Sequence, residues 1–329
     1  MKLYGKDTLL TYFKTALRKH TVGHLYIFEG AVGMGKKTIC RHLAMLLQCE
    51  SENKPCGTCS SCIKSKSGNH PDIIYVENDA KTPMNVDKAR ELVAEMYVKP
   101  FSAERKIYII PAGETLSPTV QNTLLKAFEE PPPYVTIFLT VTNRDALLKT
   151  VLSRGIVLGM SGCPVIHLEK YIRENFPDRT QDAHFLASAA GGSIGKAKAL
   201  AEDESYLAMR SALFSVLPRL ASSRSGIYAV RKCFEDYKDE LPSLLSFFSS
   251  WMRDCVYMQI SDENAILNRD VQSAISEFAF SVSPRAAVRC HEAAVTLASS
   301  IGKGSNYTLW ITDFLSECWR YCHDTDSRC

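Results

Sequence analysis

The sequence predicts an α/β domain built on a parallel sheet, followed by an all-α C-terminal half. Three observations predict this. Short apolar runs alternate with helix-period segments between His24 and Met160. A glycine-rich turn, Gly30–Thr38, joins the first such run to a helix. Beyond Ser205 helical spacing continues with no convincing strand. Alternation of this kind implies parallel strands covered by helices on both faces.

His24–Phe28 is apolar and ends at Glu29-Gly30, a strand running into a turn. Lys37–Leu47 puts Ile39, Leu43, Leu46 and Leu47 on one helical face. Asp72–Val76 is a second strand, and Val86–Tyr97 repeats Val86, Ala89, Leu92, Val93 and Met96 at helical spacing. Lys106–Ile110 is a third strand. Ser117-Pro118 supplies an N-cap with proline at the first helical position. That helix carries Val120, Leu124, Leu125 and Phe128 and must stop before Pro131-Pro132-Pro133. Thr136–Thr142 is a fourth strand and Gly155–Met160 a fifth. His167–Ala201 is helical, broken at Gly191-Gly192-Ser193-Ile194-Gly195. Further helical patterns lie at Leu241–Cys255, Val271–Phe280 and Arg285–Ser299.

The chain has 329 residues, room for two domains of about 150 residues or three smaller ones. With 46% hydrophobic and 23% charged residues, it is neither disordered nor collagen-like. The formal net charge of +3 is too small for a nucleic-acid coat or a polybasic membrane anchor. No apolar run approaches the ~18 residues of a membrane span, and Met1–Asp7 has no signal-like apolar stretch. A reducing cytoplasm is therefore expected, with clustered cysteines held by metal rather than paired in disulfides.

Gly30-Ala31-Val32-Gly33-Met34-Gly35-Lys36-Lys37-Thr38 follows a strand and opens a helix, the context of a phosphate loop. Gly30, Gly33 and Gly35 let backbone N–H groups approach phosphates, and the helix N-terminus favours negative charge. Lys36 stands where the β- and γ-phosphates of ATP, or the β-phosphate of ADP, would lie. The bland alternative is a glycine-rich turn with no ligand. The position after Lys36 calls for Ser or Thr to hold Mg²⁺, but it is Lys37. Thr38 comes one residue late, turned by about 100° around the helix. At the end of the third strand, where phosphate-loop ATPases place an acidic pair, stand Pro111 and Ala112. Glu114 is displaced and expected to face solvent. With both Mg²⁺-handling positions missing, neither a Mg²⁺ site nor intrinsic hydrolysis is expected, while nucleotide binding stays open.

Four of the twelve cysteines are clustered as Cys49-x6-Cys56-x2-Cys59-x2-Cys62. Cys-x2-Cys pairs chelate zinc naturally, and four thiolates leave no open position for water, so a structural Zn²⁺ site is expected. His70 follows the cluster and reads as a packing or capping residue at strand entry. Cys318, Cys322, His323 and Cys329 form a weaker constellation, read as a packed helix end with a tail. The remaining cysteines read as small buried apolar residues.

The assembled motifs resemble bacterial clamp-loader subunits of DNA polymerase III, of the delta-prime type. The phosphate loop, the four-cysteine insertion and Gly68-Asn69-His70-Pro71-Asp72 carry the resemblance. So do Asn122–Pro132, Ser153-Arg154 within Leu147–Gly155, and Trp251-Met252-Arg253-Asp254. It is dense over residues 1–160 and mostly architectural beyond. One departure is Gly155, where the family's Ser-Arg-Cys motif has Cys. The resemblance implies an AAA+ domain over 1–163 with its zinc insertion at 49–62, a small helical lid at 164–204 and a helical collar at 205–329. It further implies gamma/tau and delta-like partner subunits, and a sliding clamp and primed DNA reached through the complex, at a bacterial, nucleoid-associated replisome with no membrane. Arg154 is implied to act in trans on a neighbouring subunit's ATP. Two other readings stay open. One is an ATP-hydrolysing gamma/tau-like subunit, which an ATPase assay separates. The other is a zinc-dependent nucleic-acid-binding protein, against which Glu50–Lys66 offers only Lys54, Lys64 and Lys66 as cations and no aromatic residue.

Overall fold

The computed structural model describes residues 3–222, 224–260, 262, 265–300 and 307–323. Two compact units emerge: Met1–Tyr171 with Gly191–Lys196, and Ile172–Ala190 with Ala197–Cys329.

The first unit holds five parallel strands: β1 (Leu25–Glu29), β2 (Ile73–Tyr75), β3 (Lys106–Ile110), β4 (Val135–Val141) and β5 (Ile156–Gly159). Their spatial order is β2-β3-β4-β1-β5. In register, Tyr26 of β1 lies opposite Phe138 of β4 and Ile156 of β5. Helices α1 (Asp7–Arg18), α2 (Lys36–Gln48), α3 (Ser60–Ser67), α4 (Val86–Met96), α5 (Pro118–Glu129) and α6 (Lys149–Leu152) connect and flank them. Successive strand residues alternate between the two faces. Tyr26, Phe28, Ile107, Ile109 and Phe138 join Phe13 of α1 and Ile39 and Leu43 of α2 in one core. Leu25, Ile27, Tyr108, Ile110, Ile137 and Leu139 join Leu92 of α4 and Leu124 and Phe128 of α5 in the other. Burial on both faces is why these strands read as unbroken apolar runs. Ser117 caps α5 by accepting from Val120 N, and the helix stops at Glu129, ahead of the prolines.

The second unit is helical among the described residues. Helix α7 (Val165–Asn175) enters it, followed by α8 (Ala183–Ala189), α9 (Ile194–Glu202), α10 (Glu204–Val216) and α11 (Arg224–Asp236). Then come α12 (Leu241–Gln259), α13 (Gln272–Ser281), α14 (Pro284–Ser300) and α15 (Tyr307–His323). The parallel sheet and the helical C-terminal region match the expectation. Trp251, Phe247 and Phe248 of α12 are fully buried. Asp254, also buried, accepts from the backbone N–H groups of Leu267 and Asn268. Arg210 forks onto Asp270 with two 2.7 Å bonds and lies over the rings of Phe185 and Phe214. Cys318 and Cys322 pack into this core, while Cys329 lies outside the described residues. No helix among the described residues is long and apolar enough to cross a membrane.

Candidate functional site

The Gly-rich turn leaves β1 and enters α2 with Gly33 and Gly35 at φ +81° and +82°, a left-handed backbone that side chains rarely adopt. Gly30, Gly33, Gly35 and Lys36 all lie in this loop, and Thr38 is exposed on the first turn of α2. The Lys36 ammonium turns back on its own loop, donating to the carbonyls of Gly30 and, at 2.9 Å, Ala31. Burial pushes its pKa below the usual lysine value, and the Glu114 carboxylate opposes that shift. The Gly191–Lys196 segment packs against the loop at Gly33. Gly195 N donates to Gly33 O at 3.2 Å. A Cβ on Gly33 would lie 2.2 Å from Ser193 Oγ. The loop therefore has the backbone of a phosphate cradle, with its lysine and one wall engaged by the chain itself.

At the end of β3, Pro111 and Ala112 form a closed corner. Both carbonyls accept from Asn78 Nδ2, at 2.7 and 3.0 Å. Ala112, at φ +49°, donates its N–H to Thr140 Oγ1. Neither of these two residues carries a carboxylate. Glu114 does not face solvent as expected: it is half-buried and accepts from Thr142 N (3.2 Å) and Oγ1 (3.0 Å) just past β4. The turn Gly113–Thr115 folds it back toward the sheet, and those two donors hold it there.

Cys49, Cys56, Cys59 and Cys62 bring four sulfurs together, all within 4.8 Å of one another. Cys49–Cys59 and Cys56–Cys62 are each separated by 4.0 Å. A tetrahedral zinc with Zn–S bonds of about 2.3 Å needs sulfur–sulfur edges of about 3.8 Å. The donor set thus fits a metal of that geometry. Backbone N–H groups point at the sulfurs: Cys56 N at Cys49, Cys59 N at Cys56 and Cys62 N at Cys59, at 3.3–3.4 Å. The Thr58 and Cys59 N–H groups push the Cys56 thiol down to about 5, and the Glu50 and Cys62 N–H groups lower that of Cys59. Burial pushes Cys62 up to about 12. The local fold follows from the sequence. Gly57 takes φ +77° between ligands, and Cys59 caps α3 by accepting from Cys62 N. His70 is buried beside the cluster with both ring nitrogens engaged. Nε2 meets Ser61 Oγ at 3.0 Å, and Nδ1 accepts from Asp72 N.

Arg154 lies between α6 and β5. It donates to Thr150 O at 2.7 Å and pairs with Glu129 at 2.6 Å, with a third of its side chain exposed. Gly155 has a packing reason, because a Cβ there would lie 2.6 Å from Ile27 Cδ1.

Asp72 was legible only as part of a motif. Its buried carboxylate accepts from the N–H groups of Phe101 (2.6 Å), Ser102 (2.8 Å) and Ala103 (3.0 Å) and from Ser102 Oγ (3.0 Å). Its partners lie 29–31 residues further along the chain, beyond the reach of local spacing.

A family profile described as "DNA polymerase III, delta subunit" matches residues 5–163. The tau/gamma subunit of DNA polymerase III from Haemophilus influenzae is 30% identical over 69% of the chain and 34% of its own length. The tau subunit from Escherichia coli K12 is 31% identical over 60% of the chain and 32% of its own length. The delta' subunit from Pseudomonas aeruginosa is 26% identical over 77% of each. The chain spans about a third of the tau relatives' length. Through residues 5–163 the chain is thus similar to the delta-subunit family of DNA polymerase III, and more widely to tau/gamma and delta' subunits of that polymerase.

Proposed function

We propose that the chain is a delta-prime-like, non-hydrolysing subunit of a DNA polymerase III clamp loader, which places a sliding clamp on primed DNA. One observation carries this reading: a phosphate-loop frame whose Mg²⁺ and water-activating positions are Lys37, Pro111 and Ala112. None of the three can hold a cation or polarise water, so the loop has no hydrolytic apparatus of its own. In this reading residues 1–163 are an AAA+ domain, 164–204 a lid and 205–329 a collar. The partners are gamma/tau and delta-like subunits in the bacterial cytoplasm.

Cys49, Cys56, Cys59 and Cys62 hold one structural Zn²⁺, which fixes the insertion and has no open coordination position. Gly30, Gly33, Gly35, Lys36 and Thr38 keep the shape of a nucleotide cradle without the chemistry. Arg154 exchanges its Glu129 partner for phosphate oxygens when a neighbouring subunit presents ATP. A planar, always-charged guanidinium suits the charge that gathers on a transferring phosphoryl group.

The 30–31% identity to tau subunits favours a second reading, an active gamma/tau-like ATPase. A clamp loader reconstituted with and without the chain decides the role. Loading of a labelled clamp onto primed DNA should require the chain, and the purified chain alone should release no phosphate from ATP. Normal loading without it overturns the role. Turnover by the chain alone that disappears in Lys36→Ala transfers it to the gamma/tau-like class.

A further inference from the structure

We infer a second anion site, at a pocket formed where the cysteine insertion meets the ends of α1 and α2, that takes a phosphate-bearing ligand. This inference does not depend on the clamp-loader role.

The pocket has a volume of about 390 Å³. That falls within the roughly 300–1,000 Å³ of small-molecule sites. Lys14 and Arg18 from α1, Lys54 from the insertion and Arg105 ahead of β3 line it, with Glu52 and Glu104. Four basic side chains and two carboxylates thus line one concavity, together with the apolar Leu17 and Leu47. None of these four cations is in an ion pair among the described residues. Cations that outnumber carboxylates in a concave site produce a focused positive potential, and the residual charge of about +2, four cations less two carboxylates, matches a phosphate group. Two of the four are guanidiniums, whose forked donors match phosphate oxygens, and the two ammoniums add point charge.

Two of these cations are mounted rigidly. Lys54 lies in the short segment between Cys49 and Cys56, so the sulfur cluster anchors that wall at both ends. Arg105 follows the 101–103 loop that Asp72 holds with four hydrogen bonds. Its carbonyl accepts from Gln48 Nε2 at 2.7 Å, and its guanidinium reaches Thr136 Oγ1. A preorganised cation cluster loses little freedom on binding. The cysteine insertion then has a use beyond its own stability: it sets one wall of an anion pocket.

The shared ligand chemistry is the phosphate group, from a free nucleotide or from a nucleic-acid strand. The test uses the full zinc-loaded chain and two probes, ATP and a fluorescent 15-nucleotide oligothymidylate, titrated at low and moderate salt. The variants are Arg18→Glu and Lys54→Glu, each checked for unchanged zinc content and circular dichroism. Lys36→Ala reports on the phosphate loop. The expected result is binding of at least one probe, weakened tenfold or more by each charge reversal and unchanged in Lys36→Ala. Oligonucleotide binding that falls steeply with salt and yields little to ATP identifies a strand as the source. Saturable ATP binding with equal competition by pyrophosphate identifies a free phosphate ligand. The inference is overturned if neither probe binds, or if binding survives both reversals, or if it vanishes in Lys36→Ala.

Discussion

Replacing Asp72 with Asn should free the 101–103 loop. An amide has one acceptor oxygen, whereas the Asp72 carboxylate receives four donors on two oxygens. In the better orientation the amide oxygen takes the place of Oδ2 and keeps Ser102 N, Ser102 Oγ and Ala103 N. The amide NH₂ then confronts Phe101 N, donor against donor. One buried N–H left unpaired costs about 1–3 kcal/mol, and three charge-assisted bonds reduced to neutral ones lose about 0.5–1 kcal/mol each. The sum is about 4 kcal/mol of local stability. Amide hydrogen exchange read by mass spectrometry over residues 99–105 is the direct assay. At 1.4 kcal/mol per factor of ten, exchange should accelerate by about 10³. Acceleration below tenfold would refute the reasoning. The pH dependence supplies a second check. Burial on its own would raise the Asp72 pKa, but the Phe101, Ser102 and Ala103 donors outweigh it and the net shift is downward. A carboxyl depressed in the folded state contributes its full stability above the unfolded value of about 3.9, and loses it as pH falls through the folded value. Loop protection should therefore be flat from pH 7 to about 5 and decline below about 4. In Asp72→Asn that decline should vanish.

Three further outcomes follow from the same geometry. Cys59→Ser should lower bound zinc from one per chain to a minor fraction in metal analysis of protein purified without a nickel column; unchanged zinc would exclude the four-sulfur site. Gly155→Cys forces a side chain to within 2.6 Å of Ile27 Cδ1 and should destabilise the first unit by about 1–3 kcal/mol in urea titrations; a neutral result would mean that β1 yields freely. Arg154→Ala breaks a partly exposed ion pair with Glu129, so stability should change by no more than about 1 kcal/mol. Clamp loading by the reconstituted complex should nevertheless fall sharply, and wild-type loading would refute the trans role.

The sheet was legible because its strands are buried on both faces, which leaves continuous apolar runs such as Lys106–Ile110. Helix α5 was legible because Ser117, Pro118 and the following prolines mark both ends. The cysteine cluster was legible from spacing alone, since metal chelation is a local property. Helix α1 is legible in principle, since Leu9, Leu10, Phe13 and Leu17 recur at helical spacing and pack into one core, but no strong cap announces its start. Glu114 departs from the expectation because its partner Thr142 is 28 residues away, just past β4. The same limit hid the contact of Ser193 with Gly33 and the convergence of Lys14, Lys54 and Arg105 on one pocket. Each is a meeting of segments that no periodicity announces.

The Gly191–Lys196 segment has a topological consequence. The backbone leaves the first unit after Tyr171, returns at Gly191 and departs again after Lys196. The profile match ends at residue 163, well short of this return. A polypeptide cut after Cys163 would keep every strand of the sheet and the whole profile match. It would lack Ser193 and the Gly195 N–H, and the turn around Gly33 would meet water instead. Ligand affinities measured on such a fragment would describe a phosphate loop stripped of the wall that the intact polypeptide sets against Gly33.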